Sequence, residues 1–478
     1  MRSAQEFVRV RGGMLQRALG EKNMFLGNSE KKGISGGILG VDMDDRFAQI
    51  SFWLPGGQKP ETLSVEAEEE DSMIPAVLCL RSDRDVWTCG REALLTAERG
   101  EGVLVDQLLS RAIQGERVEI GGEFFEATAL LALFIKRSLS LPGGGRSPIR
   151  PEKADFFMFT FERVDRQTLE MVERVALLLS LPPEKVSCQS RAESFFYYNI
   201  HQPEELWRHL CLICDFGGRT LKTWMFEAYH NTRPATVTVS GEEHSALTRD
   251  IPEKREYEPQ APSGEKAEEM DESFLSCFRK LSAGKIIDTV YLIGDGFEGD
   301  WYPKTLSVLC QNRRVFRGNN LYSKGACYGG GYKSGQKIWQ KAGREYVYLG
   351  SDMLKVNLGL EAVRRGEDVC FSLLDAGMNW FDARGECDFM LDRDHAFSLR
   401  LSSVSGKRAR QIVVTLSGVP DRPPGTTRIH LTVSCPDAET VKLRMEDRGF
   451  GDFYPSSGLA WEESFSLTQA LEERRGNS

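Results

Sequence analysis

Two stretches of the sequence are the main indication of its fold. They are Ile38-Leu-Gly-Val-Asp-Met-Asp-Asp-Arg-Phe47 and Leu210-Cys-Leu-Ile-Cys-Asp-Phe-Gly-Gly-Arg-Thr-Leu221. In each, an apolar strand ends in an aspartate, Asp42 or Asp215, and a tight turn leads to a second strand. Such a pair can face each other across a cleft, where two carboxylates hold a hydrated Mg²⁺ and glycine amides approach phosphate oxygens. Two ordinary hairpins are the other interpretation, and the spacing alone leaves both open.

The composition restricts the class of protein. The 478 residues include 41% hydrophobic residues, 27% charged residues and 46 glycines, which is typical of a globular protein of about three domains. No run approaches the roughly 18–20 apolar residues that a membrane-spanning helix needs. The net charge of −9 and the pI of about 5.5 argue against nucleic acid as a main partner. Eleven scattered cysteines indicate a reducing compartment, so we expect a cytoplasmic location.

Shifts in sequence pattern divide the chain into three parts. Residues 1–32 form a basic extension, which either contacts a membrane surface or partner weakly or is a plain surface extension. Residues 33–337 predict an α/β region, with a linker at Ile251–Ala267. Residues 338–478 predict an all-β domain, because strand-like pieces alternate with turn signals.

The periodicity predicts individual elements as well. In the α/β region it predicts wholly apolar strands at Phe156–Phe161 and Leu210–Asp215, and a helix at Val103–Ala112. The strands predicted in the C-terminal part are Glu345–Leu349, Val369–Leu374, His395–Ser403, Gln411–Ser417, Arg428–Ser434 and Thr440–Glu446.

One glycine motif needs a separate interpretation. Gly294-Asp-Gly-Phe-Glu-Gly299 has the form G-x-G-x-x-G and follows the predicted strand Asp288–Ile293. A dinucleotide-binding unit also requires an acid at the end of the next strand, about 20 residues further on. The chain has arginine and asparagine there, in the stretch Arg317-Gly-Asn-Asn. A Rossmann site is therefore not expected.

Taken in chain order, five segments resemble the actin-like ATPase superfamily, most nearly the seventy-kilodalton heat-shock chaperones. Asp42 stands at the acid of the first phosphate hairpin, and Asp215–Thr220 is similar to the second phosphate loop. The remaining three segments are Gln189–Tyr197, similar to the first connecting helix, Asp288–Gly296 with Pro303, similar to the adenosine motif, and Asn319–Ala326, similar to the second connecting helix. The resemblance covers roughly residues 33–335.

The resemblance implies a fold class. It implies a two-lobe actin-like (ribonuclease-H-like) α/β ATPase fold, with lobe I at about 33–190 and lobe II at about 191–337. The C-terminal part then stands where these chaperones have a β domain, and an all-β, sandwich-like domain is expected.

The resemblance also implies ATP and Mg²⁺ as cofactors. Asp42 and Asp215 would hold the metal and orient its bound water, and Gln189 would position the attacking water. The nucleotide-binding positions would be Arg46, Gly217, Gly218, Thr220, Gly294 and Gly296. The last two would admit the nucleoside.

Some positions depart from the family pattern. Asp44, Asp45 and Arg46 replace the hydroxyl residues of the first loop, and extra carboxylates repel a triphosphate unless Arg46 or the metal compensates. Arg219 replaces a glycine of the second loop, where its side chain either blocks or grips a phosphate. Gln189 orients water but is a poor proton acceptor. We therefore expect weak or absent hydrolysis.

The sequence thus predicts a divergent chaperone-like protein, in which lobe closure around ATP–Mg²⁺ is coupled to a β domain that contacts a protein partner or peptide. Two alternatives remain: a non-enzymatic scaffold with a degenerate nucleotide cleft, and an actin-like filament protein. The stretch Gly449–Pro455 carries exposed-looking aromatic residues and is either a contact surface or a packed corner.

Overall fold

The structure is a computed structural model that describes residues 36–64, 72–83, 86–141, 149–249, 251, 257, 262, 264–335, 346–392 and 395–467. The basic extension at residues 1–32 and most of the predicted linker at Ile251–Ala267 lie outside these ranges. The chain divides into two compact units: Met1–Phe226 with Gly241–Lys341, and Glu227–Ser240 with Ala342–Ser478.

The described helices are α1 (Gly90–Glu98), α2 (Leu108–Gln114), α3 (Ala127–Ser138), α4 (Arg166–Leu178), α5 (Arg191–Ile200), α6 (Gly264–Ser282), α7 (Pro303–Leu309) and α8 (Leu321–Lys333). Among them, none is long and apolar enough to cross a membrane.

The strands of the first unit are β1 (Ile38–Met43), β2 (Phe47–Trp53), β3 (Glu61–Thr62), β4 (Ile74–Pro75), β5 (Leu78–Arg81), β6 (Trp87–Cys89), β7 (Gly102–Val105), β8 (Arg117–Ile120), β9 (Glu123–Glu126), β10 (Phe156–Phe161), β11 (Val186–Ser190), β12 (Leu210–Asp215), β13 (Thr220–Tyr229), β14 (Ala235–Thr248), β15 (Ile287–Ile293) and β16 (Arg314–Arg317). The last residues of β13 and the first residues of β14 belong to the second unit.

The remaining strands are β17 (Tyr346–Tyr348), β18 (Val356–Arg364), β19 (Glu367–Leu374), β20 (Arg384–Leu391), β21 (Ala396–Ser403), β22 (Ala409–Thr415), β23 (Thr427–Ser434), β24 (Thr440–Asp447) and β25 (Ala460–Ser466).

Two sheets of the first unit have the same strand order. The first runs β3-β2-β1-β10-β11 and the second contains β14-β13-β12-β15-β16. Among the five strands named for each sheet, the third, second, first, fourth and fifth lie side by side in that order; β4 also pairs with β2 in the first sheet, and β17 with β14 in the second. In both, the fourth strand runs parallel to the first, which it contacts directly. Smaller strands and α1–α3 separate β3 from β10 in the chain, and α6 separates β14 from β15. The first unit is thus a mixed α/β structure with an internal repeat.

The central strands are buried on both faces. Every residue of β1, β10 and β12 is buried, in agreement with their nearly continuous apolar sequences. The polar exceptions are Asp42, which is next to the last residue of β1, and Asp215, which ends β12. Because parallel strands end on the same side of a sheet, these acids lie at the carboxyl edges of their sheets.

Helix α8 packs directly on β1. A Cβ atom added to Gly40 would lie 2.8 Å from the Cβ of Ala326 and 2.8 Å from the backbone nitrogen of Cys327. Within α8, Gly325 approaches Ser194 of α5 with its backbone. Glycine at these positions allows two helices and a strand to approach more closely than side chains would permit. The packing fixes the strand that carries Asp42.

The second unit contains two four-stranded sheets, ordered β19-β18-β21-β22 and β20-β23-β24-β25. Alternate residues of β23 and β24 are buried, as expected for strands with one face in a core. Leu399 of the first sheet and Leu431 of the second belong to one hydrophobic cluster. The prediction of an all-β C-terminal region is confirmed.

Several element predictions need correction. The helix predicted at Val103–Ala112 is wrong in its first half, where Gly102–Val105 forms β7 and pairs with β5. The pattern of three consecutive apolar residues suits a buried strand as well as a helix. Three strands of the second unit were not predicted: β18, β20 and β25. Two of them, β20 and β25, carry many charged residues on their exposed faces, which weakens the strand signal.

Replacing Gly40 with valine should destabilise the first unit, because the added side chain meets the backbone of α8. Overpacking of this kind lowers the free energy of unfolding by about 1–3 kcal/mol. Urea denaturation followed by circular dichroism measures the change. Gly318→Val is the matched control, since a Cβ at Gly318 meets no atom within 4 Å. Equal stability of the two variants would contradict the close packing of β1 on α8.

Candidate functional site

Asp42 and Asp215 line one small cavity of about 40 Å³ in the first unit. Each stands at the end of its strand, and the two residues are only 6% and 7% exposed. The sequence predicts that these acids meet across a shared gap, and the structure brings them to the same cavity. Gly217 and Gly294 line it as well.

Arg191 is the cation that contacts the first acid. Its Nε donates to Asp42 Oδ1 at 2.9 Å and its Nη2 to Asp42 Oδ2 at 3.2 Å, a bidentate arrangement. The same Nη2 donates to Asp44 Oδ2 at 3.1 Å. The guanidinium carbon lies 5.1 Å from the ring centre of Tyr322. Because Arg191 begins α5 directly after β11, the sheet and the helix together place it over the end of β1.

Asp215 is held from its own sheet and from α8. The backbone N–H of Gly217 donates to Asp215 Oδ1 at 2.9 Å, and the hydroxyl of Tyr322 donates to Asp215 Oδ2 at 3.2 Å. The Gly217 amide is one of the groups that the sequence interpretation assigns to phosphate binding. In the structure this amide is bonded to an aspartate of the protein.

Two further arginines hold the glycine loop after β12. Arg46 Nη1 donates to the carbonyl oxygen of Gly217 at 2.6 Å, and Arg249 Nε donates to that of Gly218 at 2.9 Å. Both arginines also pair with the buried Asp295: Arg46 at 3.0 Å and Arg249 at 2.5 Å. These bonds join the hairpin after β1 to the loops of the second sheet. We call Arg46, Arg191 and Arg249 the arginine cluster.

The burial of these charges shifts their pKa values. Desolvation raises the pKa of Asp42 to about 6, although Arg191 lowers it in part, and the nearby charges of Asp44 and Asp215 raise it further. Burial likewise raises the pKa of Asp215. Burial alone would lower the pKa of Arg191, but the three carboxylates outweigh that effect and raise it, so this guanidinium remains charged.

The residues of this arrangement do not fit ATP–Mg²⁺. A cavity of about 40 Å³ has room for little more than a water molecule. Among the described residues, no group of three or more His, Cys, Asp or Glu side chains is arranged to hold a metal ion. The charge that Mg²⁺ would neutralise on Asp42 is already paired with Arg191.

The glycines expected to admit the nucleoside instead pack on the protein backbone. A Cβ at Gly294 would collide with the backbone of Phe216 and Gly217, and one at Gly296 would lie 2.5 Å from the carbonyl oxygen of Phe216. Gly294 also has a φ of +96°, which favours glycine. Gly218 has open space around it, and Thr220 is half-buried at the start of β13.

Gln189 lies in the same cross-strand row as Asp42, because Asp42 pairs with Thr160 and Thr160 pairs with Gln189. It is fully buried and does not line the cavity described above. Its amide nitrogen and oxygen have no hydrogen-bond partner among the described residues. Gln189 is thus near the strand that carries Asp42 but outside the lining of this cavity, and its role in positioning water stays a prediction.

Sequence reasoning missed Arg191 and Arg249 as site residues. Arg191 lies inside the segment Gln189–Tyr197. The first hairpin has more carboxylates than cations, and this excess of negative charge was the signal that a cation must lie nearby. Arg249 follows the long strand β14, and nothing in the local sequence connects it to Asp295. Arg46, expected to compensate the acids of the first loop and to bind the nucleotide, pairs in the structure with Asp295.

Arg191→Met should reduce stability strongly and in a pH-dependent way. Removing one partner of a buried ion pair costs about 3–5 kcal/mol. In the folded protein the pKa of Asp42 is raised to about 6. At pH values between the usual pKa of an aspartate and about 6, the folded state therefore binds more protons at Asp42 than the unfolded chain does. The stability from this group is therefore present at low pH and lost as the pH rises through about 6. Because Arg191 lowers this pKa, its removal should leave the pKa of Asp42 higher still, so the variant should be weakest at and above neutral pH and regain stability as the pH falls.

Urea unfolding across that pH range is the measurement. Arg117→Met removes an exposed pair with Glu126 and should change the unfolding free energy by at most about 1 kcal/mol. Adding Asp42→Asn to Arg191→Met should restore part of the loss near neutral pH. A variant Arg191→Met as stable as the wild type would contradict the pairing.

Parts of this chain match two protein families. Residues 59–351 match the "Family of unknown function (DUF5716) C-terminal", and residues 353–467 match the "Domain of unknown function (DUF8552)". The second match falls within the all-β unit. Among curated proteins, none matches this sequence. Because the first match spans more than half of the 478 residues, the chain belongs to the family of unknown function DUF5716.

Proposed function

We propose that this protein is a non-enzymatic scaffold: a two-lobe, actin-like domain whose nucleotide cleft is closed by the arginine cluster, followed by a β domain that contacts a protein partner. The alternative is the chaperone-like function inferred above, in which the same cleft binds ATP–Mg²⁺ and moves the β domain. Both share the fold and differ in what neutralises the acids of the cleft.

The repeated strand order supports the two-lobe interpretation. A fold of two similar halves requires two sheets with the same connections, and the sheets of the first unit have them. It also requires that the first strand of each half ends at a common gap, as β1 and β12 do. Helices α5 and α8 lie in the segments that the resemblance assigns to connecting helices, which also supports this interpretation.

The observation that carries the scaffold proposal is the bidentate pair between Arg191 and Asp42. A guanidinium paired with both oxygens of a carboxylate leaves that carboxylate little capacity to orient metal-bound water. For Mg²⁺ to bind there, Arg191 would have to leave Asp42 and Asp44 and lose its buried position. That rearrangement opposes binding by the several kcal/mol associated with separating a buried ion pair.

The net charge of the cleft points the same way. Three arginines of the cluster face four aspartates: Asp42, Asp44, Asp215 and Asp295. The aspartates outnumber the arginines by one, so the cluster has no surplus positive charge for a triphosphate. A phosphate-binding site needs such a surplus, from cations or from free backbone amides.

The proposal predicts no nucleotide-dependent stabilisation. A ligand that binds only the folded state at 100 times its Kd adds about 2.7 kcal/mol to the free energy of unfolding. Titration with ATP–Mg²⁺ up to millimolar concentration, followed by thermal unfolding, should leave the Tm unchanged. ADP–Mg²⁺ and Mg²⁺ alone are the parallel titrations, since Mg²⁺ acts on surface charges without nucleotide.

A rise in Tm with ATP–Mg²⁺ but not with Mg²⁺ alone, abolished by Asp215→Ala, would overturn the scaffold and establish the nucleotide-binding alternative. A rise that Asp215→Ala leaves intact would show binding outside the cleft, and the scaffold proposal for the cleft would stand.

A further inference from the structure

Strand β16 lies at one edge of the second sheet of the first unit. Among the described residues it pairs only with β15, and the two strands run parallel. The backbone groups of successive residues in a strand point alternately to its two sides. The N–H of Gly318 donates to the carbonyl oxygen of Leu292 in β15 at 3.2 Å. The backbone groups of Val315 and Arg317 therefore face away from β15 and form a free edge.

Three arginines lie along this edge. Arg313 directly precedes β16, and Arg314 and Arg317 are its exposed first and last residues. Arg314 pairs with Glu205 at 3.4 Å, and because both side chains are 62% exposed the pair contributes little. Within the parts of the chain that the structure describes, neither Arg313 nor Arg317 forms an ion pair with an acid. The edge therefore carries a surplus of positive charge.

Arg313 shows most clearly that an acid is missing. Its guanidinium carbon lies 4.9 Å from the ring centre of Phe278 in α6. Its Nε and Nη1 atoms are buried, and the described residues offer them no hydrogen-bond partner. Burial lowers the pKa of Arg313, because it removes water from the charge. A buried cationic donor without a partner is costly, so a carboxylate brought to this guanidinium would gain a charge-assisted hydrogen bond.

The side chains of β16 divide the edge into two faces. On one face, Phe316 is 41% exposed and stacks on Tyr291 of β15, with ring centres 5.6 Å apart. On the other face, Val315 packs against the same hydrophobic cluster as Phe278. Because side chains alternate along a strand, Arg317 lies on the face of Val315. One face of the edge is thus apolar and aromatic, and the other is basic.

Charge on an edge strand has a general protective role. Charged side chains prevent uncontrolled pairing of an exposed edge with other strands. Arginines repel a basic strand and leave a neutral strand facing unpaired charges, but they attract an acidic strand. The same side chains therefore exclude most strands and select one of complementary charge.

We propose that the β16 edge binds an acidic, extended segment of a partner protein by strand addition. Main-chain hydrogen bonds to Val315 and Arg317 supply affinity, and acids at every second position of the segment face Arg313 and Arg317. The intervening apolar positions cover Phe316. No residue of β16 lines the cavity of Asp42 and Asp215. The inference therefore goes beyond the scaffold function and holds whether or not the cleft binds nucleotide.

Fluorescence anisotropy with the full chain tests the proposal. The probe is a labelled heptapeptide of sequence Glu-Val-Glu-Val-Glu-Val-Glu, which places its acids on one face of a strand and its valines on the other. It should bind saturably. A peptide of the same composition in blocks, Glu-Glu-Glu-Glu-Val-Val-Val, should bind at least about tenfold more weakly, because it cannot separate acids and valines onto two faces. The alternating peptide with lysine in place of glutamate should not bind.

Two variants test the arginines. Arg317→Glu should weaken binding of the alternating peptide at least about tenfold. Arg313→Met keeps an apolar contact with Phe278 but removes the charge, and it should also weaken binding. Arg174→Glu is the matched control, because Arg174 is exposed on α4 and carries the same change of charge away from this edge. Thermal unfolding should show that all three variants remain folded.

Hydrogen exchange separates strand addition from a general attraction between charges. The amides of Val315 and Arg317 should exchange more slowly when the alternating peptide is bound, whereas that of Gly318, which is bonded to β15, should change little. Mass spectrometry with residue-level fragmentation measures both. The proposal would be overturned by absent saturable binding, by equal affinity for the block peptide, by unchanged affinity of Arg317→Glu, or by binding without protection of Val315 and Arg317. Since no nucleotide is present, these outcomes are independent of the thermal titration that tests the closed cleft.

Discussion

The pairing of Arg191 with Asp42 is the interaction on which the arrangement of the first unit depends. Asp42 lies next to the last residue of a strand that is buried on both faces and is only 6% exposed, so its carboxylate obtains little solvation from water. A buried carboxylate needs a cation or several donors, and here the first residue of α5 supplies the cation. The raised pKa of Asp42 shows that the compensation is incomplete. Burying the charge of Asp42 therefore still costs free energy, although each charge of the site has a partner.

The same logic extends to the second sheet. Asp295 lies between two arginines, and both of these also bind carbonyl oxygens of the glycine loop after β12. The carbonyl oxygen of Gly217 accepts a hydrogen bond from Arg46, and its backbone amide donates one to Asp215. Both backbone groups of Gly217 therefore have hydrogen-bond partners within the protein. Gly294 and Gly296 are required by this close packing of loops, whereas Gly218 has open space around it. A glycine-rich sequence is thus equally compatible with a ligand cradle and with direct contact between backbones.

These contacts explain which features were visible in the sequence. The strands Phe156–Phe161 and Leu210–Asp215 have the predicted bounds because they are nearly continuous apolar runs that end at clear breaks. The meeting of Asp42 and Asp215 was predictable from the repeated form of their segments. The partners of the acids were not, because Arg191 and Arg249 approach them only through the tertiary fold, and a single sequence carries no signal for such long-range pairs.

A crystal structure grown with Mn²⁺ and ATP tests the central claim most directly, since Mn²⁺ can replace Mg²⁺ at oxygen ligands and is located by its anomalous scattering. The account predicts no anomalous peak beside Asp42 and Asp215, with the guanidinium of Arg191 still within hydrogen-bond distance of both Asp42 oxygens. A Mn²⁺ peak between the two aspartates, with phosphate density on the glycine loop and Arg191 turned away, would contradict it.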